Sequence, residues 1–155
     1  MGMTDQGLVN TLLSNLLHAS TTATWTPGTG GTNLTITAPL HLHLFTTTGN
    51  ETTTGTEMSS VGGYTSGYPA GGLTMGTNAF NAGSSGSTSN ANVITWTASA
   101  TWTQPINGIE VFDDSSTAVR MLWGPLSAAI SGSVVVSGDT VSFAAGSIVA
   151  NASAW

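Results

Sequence analysis

The sequence predicts an all-β protein, a β-sandwich of jelly-roll type, carrying one short N-terminal amphipathic α-helix. Three observations carry that expectation. First, the stretch Ile109–Phe143 alternates short apolar runs (Ile109–Phe112, Val119–Trp123, Val134–Ser137, Val141–Ala144) with turn chemistry at Asp113–Ser116, Gly124-Pro125 and Gly138-Asp139. Runs rich in Val, Ile, Phe and Trp, separated by Gly, Asp, Ser and Pro, mark an antiparallel sheet folding back on itself. Second, no helix-length periodicity interrupts the strands, which makes the class all-β. Third, about eight short strands at close spacing suit two packed sheets. At 155 residues the chain reads as a single domain, residues 1–155.

Taken in order, residues 4–18 form the helix. Leu8, Leu12, Leu13, Leu16 and Leu17 fall on one helical face, and Thr4 or Asp5 can cap the start. A helix this short is marginal alone in water. Its leucine face must therefore pack on the protein's own sheets, which is the expectation, or on a neighbouring subunit. Residues 19–32 are Thr, Gly and Pro around Trp25, with turn signals at Pro27-Gly28 and Gly30-Gly31. Leu34–Thr37 alternates as a half-buried strand. In the next strand, Leu40, Leu42 and Leu44 share one face, while His41, His43 and Phe45 share the other.

Residues 46–90 are Gly-, Ser- and Thr-rich. A loop of that length in a compact domain is unusual unless functional, so the segment is expected to hold one or two short strands, one near Leu73–Met75, and an exposed arm. Val93–Thr97 is a strand, and Trp102 and Pro105 lead into Ile109–Phe112. Gly138-Asp139 is expected to close a two-residue hairpin joining Val134–Ser137 to Val141–Ala144. Ser147–Ala150 is the last strand.

The charge balance excludes several functions. The chain has seven acidic residues, one basic residue (Arg120) and no Lys, for a net charge of −6. With almost no cations to neutralise phosphates, no nucleic acid and no anionic membrane surface is expected as a partner. No apolar run approaches the roughly 18 residues of a membrane span, and the N-terminus lacks the positive region of a signal peptide. With no Cys there is no disulfide or thiolate metal site. Charged residues make up 5% of the chain against about 25% ordinarily. A surface of Thr, Ser, Asn and Gly lacks the charges that protect strand edges, so the edges are expected to be paired, covered or occupied in an assembly.

Candidate chemistry is sparse. His41 and His43 stand about 6–7 Å apart on one strand face, a spacing that two ligands of Zn²⁺ or Ni²⁺ can adopt. A third ligand would have to be His18 or a distant carboxylate. The competing reading is two polar residues on an exposed or interface face, and no metal or cofactor is expected. Glu110, Asp113 and Asp114 form the one carboxylate cluster, but Asp113–Ser116 is ordinary turn chemistry. There is no Gly-x-Ser-x-Gly, Cys or Lys nucleophile, so no catalytic residue is named. Arg120 is expected to pair with Glu110 across a hairpin. Tyr64, Tyr68 and Trp25 lie in loops, where aromatics anchor protein interfaces or stack on sugars. With Leu8, Leu12 and Leu16 they are the interface candidates. Trp96, Trp102 and Trp123 are expected in the core.

The order of these pieces resembles a family of small bacteriophage virion proteins, tail-fibre or minor structural proteins. The pieces are the N-terminal Asp5-x-Gly7-Leu8 helix, the run Leu42–Thr47, Gly55–Met58, Gly62–Tyr64, Ser89-Asn90, Val93–Trp96, Ala100–Trp102, Ile109–Asp113, Leu122–Leu126 and Ser137–Gly146. Together they cover residues 4–148. The chain departs from the pattern at Thr65–Gly72, which is Gly/Pro-rich where the family continues with a basic residue and a strand, and residues 19–38 are longer than usual. The resemblance implies a non-enzymatic structural protein of the virion, a tail fibre or minor tail component or a capsid-surface decoration protein. Its expected partners are other virion proteins, tail or major capsid, and copies of itself in a homotrimer. A carbohydrate-binding module recognising a host-surface glycan is the rival reading.

Overall fold

The computed structural model describes residues 6–18, 22–25, 33–76, 78–132 and 134–151. Helix α1 (Gln6–Leu17) is followed by strands β1 (Ala23–Trp25), β2 (Leu34–Ile36), β3 (His41–Thr47), β4 (Thr56–Glu57), β5 (Leu73–Thr74), β6 (Ser87–Ser89), β7 (Ile94–Thr97), β8 (Ile106–Phe112), β9 (Arg120–Ile130), β10 (Thr140–Phe143) and β11 (Val149–Asn151). The class is all-β with one short helix, as expected.

The strand pairs are all antiparallel. The main sheet runs β4-β3-β8-β9, with β5 also on β3, and β1-β2, β7-β10 and β6-β11 form smaller sheets. From β6 onward the pairing is nested: β8 pairs with β9, β7 with β10, and β6 with β11. The second half of the chain thus runs out and returns alongside itself. The apolar faces meet in one cluster that includes Leu40, Leu42, Leu44, Phe80, Ile94, Trp96, Trp102, Val111 and Val141. Each fully buried Leu or Phe there contributes about 1.5–3 kcal/mol relative to exposure.

Helix α1 packs on its own domain. Leu17 is buried, and Leu13 and Leu16 pack against the core. Two polar side chains of the helix hold the turn before β6: Ser14 Oγ accepts from Gly83 N (2.9 Å) and Asn10 Oδ1 from Gly86 N (2.9 Å). The expected caps Thr4 and Asp5, and the side chains of Leu8, Leu12 and Trp25, lie outside the described residues.

Four expectations are corrected. The Gly138-Asp139 turn forms, but it joins no hairpin. Residues 134–137 form no strand, and β10 pairs instead with β7, Val141 opposite Trp96. The turn hooks onto the end of β7, with Gly138 N donating to Ala98 O (2.7 Å) and Ala98 N to Asp139 O (2.8 Å). The Asp139 carboxylate closes the turn on itself by accepting from Val136 N (2.9 Å). Second, Gly124-Pro125 does not break the chain. Strand β9 runs through it for 11 residues, and a proline is tolerated because β9 is the sheet's edge. Third, and for the same reason, Trp123 is 42% exposed rather than core. Fourth, residues 46–90 hold three short strands, and their first part folds back over the main sheet instead of projecting.

Candidate functional site

Every residue from His41 to Phe45 is buried, so β3 is covered on both faces. The leucine face belongs to the core cluster. The other face carries a polar band. The register sets His43 opposite Glu110 and His41 opposite Phe112, and side chains opposite one another across an antiparallel pair point the same way. This corrects the reading of the two histidines as an exposed or interface pair: His41 is 5% and His43 0% exposed, because the segment after β3 closes over them.

Glu57 fastens that segment. Its Oε1 lies 2.6 Å from His43 Nδ1 and accepts from Tyr64 OH at 2.6 Å, and its Oε2 accepts from Gly67 N at 2.9 Å. An ionised carboxylate only accepts, so the His43 Nδ1–H is the donor. The Tyr64 hydroxyl also accepts from Leu44 N (3.1 Å). Burial pushes the Glu57 carboxyl up, but the hydrogen bonds from His43, Tyr64 and Gly67 outweigh it and leave its pKa below the usual carboxylate value. Burial, followed by donation to Glu57, raises the Tyr64 pKa. Burial and the nearby carboxylates Glu57 and Glu110 raise that of Tyr68.

Glu110 fastens the first turn of the same segment. Fully buried, it accepts through Oε1 from Gly49 N (3.2 Å) and Gly55 N (2.9 Å), while Oε2 lies 3.3 Å from Arg120 Nη1. Arg120, the expected partner, further donates to Thr53 O (2.9 Å) and to Asn50 O. Glycine is required at position 49 because a Cβ would stand 2.5 Å from Glu110 Oε1 and from Thr53 O. Asp113, also fully buried, holds the β8–β9 turn by accepting from Val119 N (2.6 Å), Ser115 Oγ (2.7 Å) and Thr37 N (2.9 Å).

The metal candidates do not assemble a site. The His41 and His43 rings are 6.4 Å apart, and among the described residues no three His, Cys, Asp or Glu side chains gather to hold an ion. His41 Nε2 lies 3.3 Å from Asp114 Oδ1 but without hydrogen-bond geometry. His18 is engaged elsewhere, its Nδ1 against Phe80 O.

The aromatic candidates separate. Tyr64 is 2% exposed, so its ring offers nothing to a partner, and that expectation is corrected: its hydroxyl is drawn inward by Glu57 and Leu44 N. Tyr68 is 41% exposed. One part of its ring lies over the polar band, with centroids 4.9 Å from His43 and 4.3 Å from Phe112. Leu16 packs inside the domain. Two residues carry more than sequence reasoning assigned them, Glu57 and Asn90. The signal for Glu57 was its rarity, a lone acid flanked by Thr56 and Met58 in a chain with few charges. For Asn90 the one signal is its place in the Ser89-Asn90 piece of the resemblance; period and spacing do not mark its role.

A linkage prediction follows from Glu57. Its folded pKa is lowered, so its contribution is present above the ordinary carboxylate pKa and is lost as pH falls through the folded value. Thermal melts from pH 7 to pH 3 are expected to show Glu57→Gln less stable than the parent at pH 7, with the gap narrowing as pH drops. A gap of constant size would sink the idea.

Among the described residues the buried carboxylates, Glu110 and Asp113, are thus spent on backbone amides of neighbouring segments, and the band is built as a frame for loops. That defines a structural β-domain. A family model described as Podophage GP4 fiber I protein gp80 matches residues 13–151. The chain belongs to this family and is a structural protein of the phage virion. Comparison with curated proteins and with solved structures gave no match.

Proposed function

We propose that the chain is a non-enzymatic fibre component of the phage tail that works by protein–protein contact, assembling as a homotrimer and docking on other tail proteins. The observation that supports this reading, beyond the family, is the use made of the acids: Glu57, Glu110 and Asp113 all hold loops, and each accepts at least one backbone N–H. An acid or base must reach a reacting proton, and these are committed to the frame. The nested pairing of β6 to β11 supports a jelly-roll-like winding of the sandwich.

Location and assembly are tested together by the mass of the purified chain in solution and its copy number per particle. A trimer present in a handful of sets per virion is expected. Hundreds of copies would assign it to the capsid surface, and a stable monomer at high concentration would remove the trimer. The exposure of Tyr68 favours one second reading, a glycan-binding module, since exposed aromatics stack on sugars. A glycan array decides it: binding by the parent and its loss in Tyr68→Ala would establish that reading, and no binding removes it.

A further inference from the structure

We infer that residues 65–72 form a hinged lid over His43 that opens in acid. This goes beyond the fibre reading and does not depend on how the chain assembles. Both roots of the lid are fixed. Before it, Tyr64 is buried, its hydroxyl donating to Glu57 and accepting from Leu44 N. After it, β5 pairs with His41 and Leu42 of β3. Between these roots the chain closes on itself: Gly72 N donates to Thr65 O and Gly71 N to Gly67 O, each at 2.7 Å. A compact loop whose ends meet is a unit of its own, and a few residues at its neck suffice to absorb the change in backbone angles when it swings. Gly67 (φ 105°) and Gly72 (φ 68°) already hold left-handed backbone that glycine adopts without cost to a side chain.

The lid is held by few contacts. Among the described residues its polar ties to the rest of the protein are Gly67 N to Glu57 Oε2 (2.9 Å), and Ser66 N and Oγ to Ser60 Oγ (2.8 and 2.9 Å). Its apolar hold is the Tyr68 ring, which lies over His43 and Phe112. The His43 ring sits directly beneath: a Cβ at Gly72 would stand 3.0 Å from its Cγ and its Cδ2. His43 Nδ1 is engaged with Glu57, whereas His43 Nε2 is buried and has no hydrogen-bond partner.

A proton added to His43 goes to Nε2, because Nδ1 already carries the hydrogen donated to Glu57. With the lid shut, the new N–H is a buried donor without an acceptor. With the lid swung away, it meets water. The other charges around the ring do not depend on the lid. Glu57 reaches the ring from β4, which pairs with β3 on its own. Glu110 stands opposite His43 on β8, with Arg120 of β9 on its far oxygen. His41 is the neighbour along β3, and Asp114 lies 3.3 Å beyond it. Tyr64 belongs to the fixed root, and Tyr68 is the one titratable group that moves. The ion pair of a charged His43 with Glu57 therefore forms whether the lid is shut or open. A ligand shifts an equilibrium only through its differential affinity for the two states, and for the proton that difference lies at Nε2. Histidine changes charge between about pH 5 and 8. In stronger acid, protonation of Glu57 removes the charge from its bond with Gly67 N, which loosens the lid in the same direction. Opening uncovers His43 and Phe112.

The test is hydrogen exchange of the full chain at about pH 8 and about pH 5, read as protection relative to an unstructured chain at each pH. Protection across residues 65–72 is expected to fall at least about tenfold, within the roughly 5–150-fold range of coupled sites, while β7 and β10 keep theirs. The ring carbon shifts of the three histidines, followed over the same range, are expected to place the His43 transition together with the loss of protection. His43→Gln still has a donor for Glu57 but takes no proton, so its lid should no longer respond to pH. Equal lid protection at the two pH values overturns the inference, as does loss in parallel with β7 and β10, which is global unfolding. A folded His43→Gln whose lid still opens in acid overturns it too. Should that variant fail to fold, the parent decides: a His43 transition out of step with the lid overturns the inference. None of these outcomes bears on the fibre reading.

Discussion

Replacing Glu110 with Ala is expected to lower the unfolding free energy by about 3 kcal/mol, the lower part of the range for breaking a buried ion pair from one side. The cost has two parts. Arg120, with a side chain 14% exposed, loses its only carboxylate contact among the described residues, though it keeps the carbonyls of Thr53 and Asn50. The amides of Gly49 and Gly55 lose their common acceptor, and a buried donor left without a partner costs about 1–3 kcal/mol. Glu110→Gln keeps an acceptor for the two amides and is expected to lose less. The Glu110→Ala, Arg120→Ala double variant should fall short of the sum of the singles, because the two residues share one interaction. Urea titration measures all four. Strict additivity would show that the pair is not coupled.

Replacing Asn90 with Ala is expected to cost about 2–3 kcal/mol by the same measurement. Asn90 is fully buried, and its side chain uses both ends. Nδ2 donates to Asn92 O (2.8 Å) and Ala144 O (3.0 Å), and Oδ1 accepts from Ile148 N (2.8 Å). Its backbone adds bonds to Ile148 O (3.0 Å) and from Gly146 N (2.9 Å). The Ala144 carbonyl retains Ser147, and Asn92 is exposed, so the loss concentrates on the Ile148 amide, whose bond to Asn90 is buried. Asn90→Asp separates the two ends of the side chain. The acceptor for Ile148 survives, but an ionised carboxylate then faces two carbonyls. Its destabilisation should be largest at neutral pH and should ease in acid, where a protonated carboxyl again donates. A variant whose stability deficit is the same at pH 7 and pH 4 would mean that the donor end is unimportant.

Both residues belong to the frame that holds the loops, and they differ in how legible they were. Glu110 could be paired with Arg120 from sequence because the two lie on successive strands and the chain offers Glu110 no other Lys or Arg. The role of Asn90 could not be read, although Ser89-Asn90 is one of the pieces that carry the resemblance. A buried amide is recognisable by what surrounds it, and its partners at 144 and 148 come from the far end of the nested strands. The same distance hid the true partner of β10. A turn at Gly138-Asp139 was correctly expected, but turn chemistry says that the chain reverses, not which strand receives it. Val141–Phe143 found β7, some 45 residues away in sequence, because β6 and β7 had to be covered by the returning chain.

The sequence by itself determined the class, the helix and most of the strands, because period-two and helical spacings are local and each residue's neighbours along the chain suffice to reveal them. It also determined the near-absence of charge. The tertiary structure alone decided which side of each alternating strand met solvent. His41 and His43 occupy what reads as a polar face, yet they are buried because residues 48–72, tied down by Glu57 and Glu110, lie over it. Trp123 occupies what reads as core, yet it is exposed because β9 ends the sheet. Alternation tells two faces apart but does not say what covers each of them, and that depends on contacts between residues far apart in the chain.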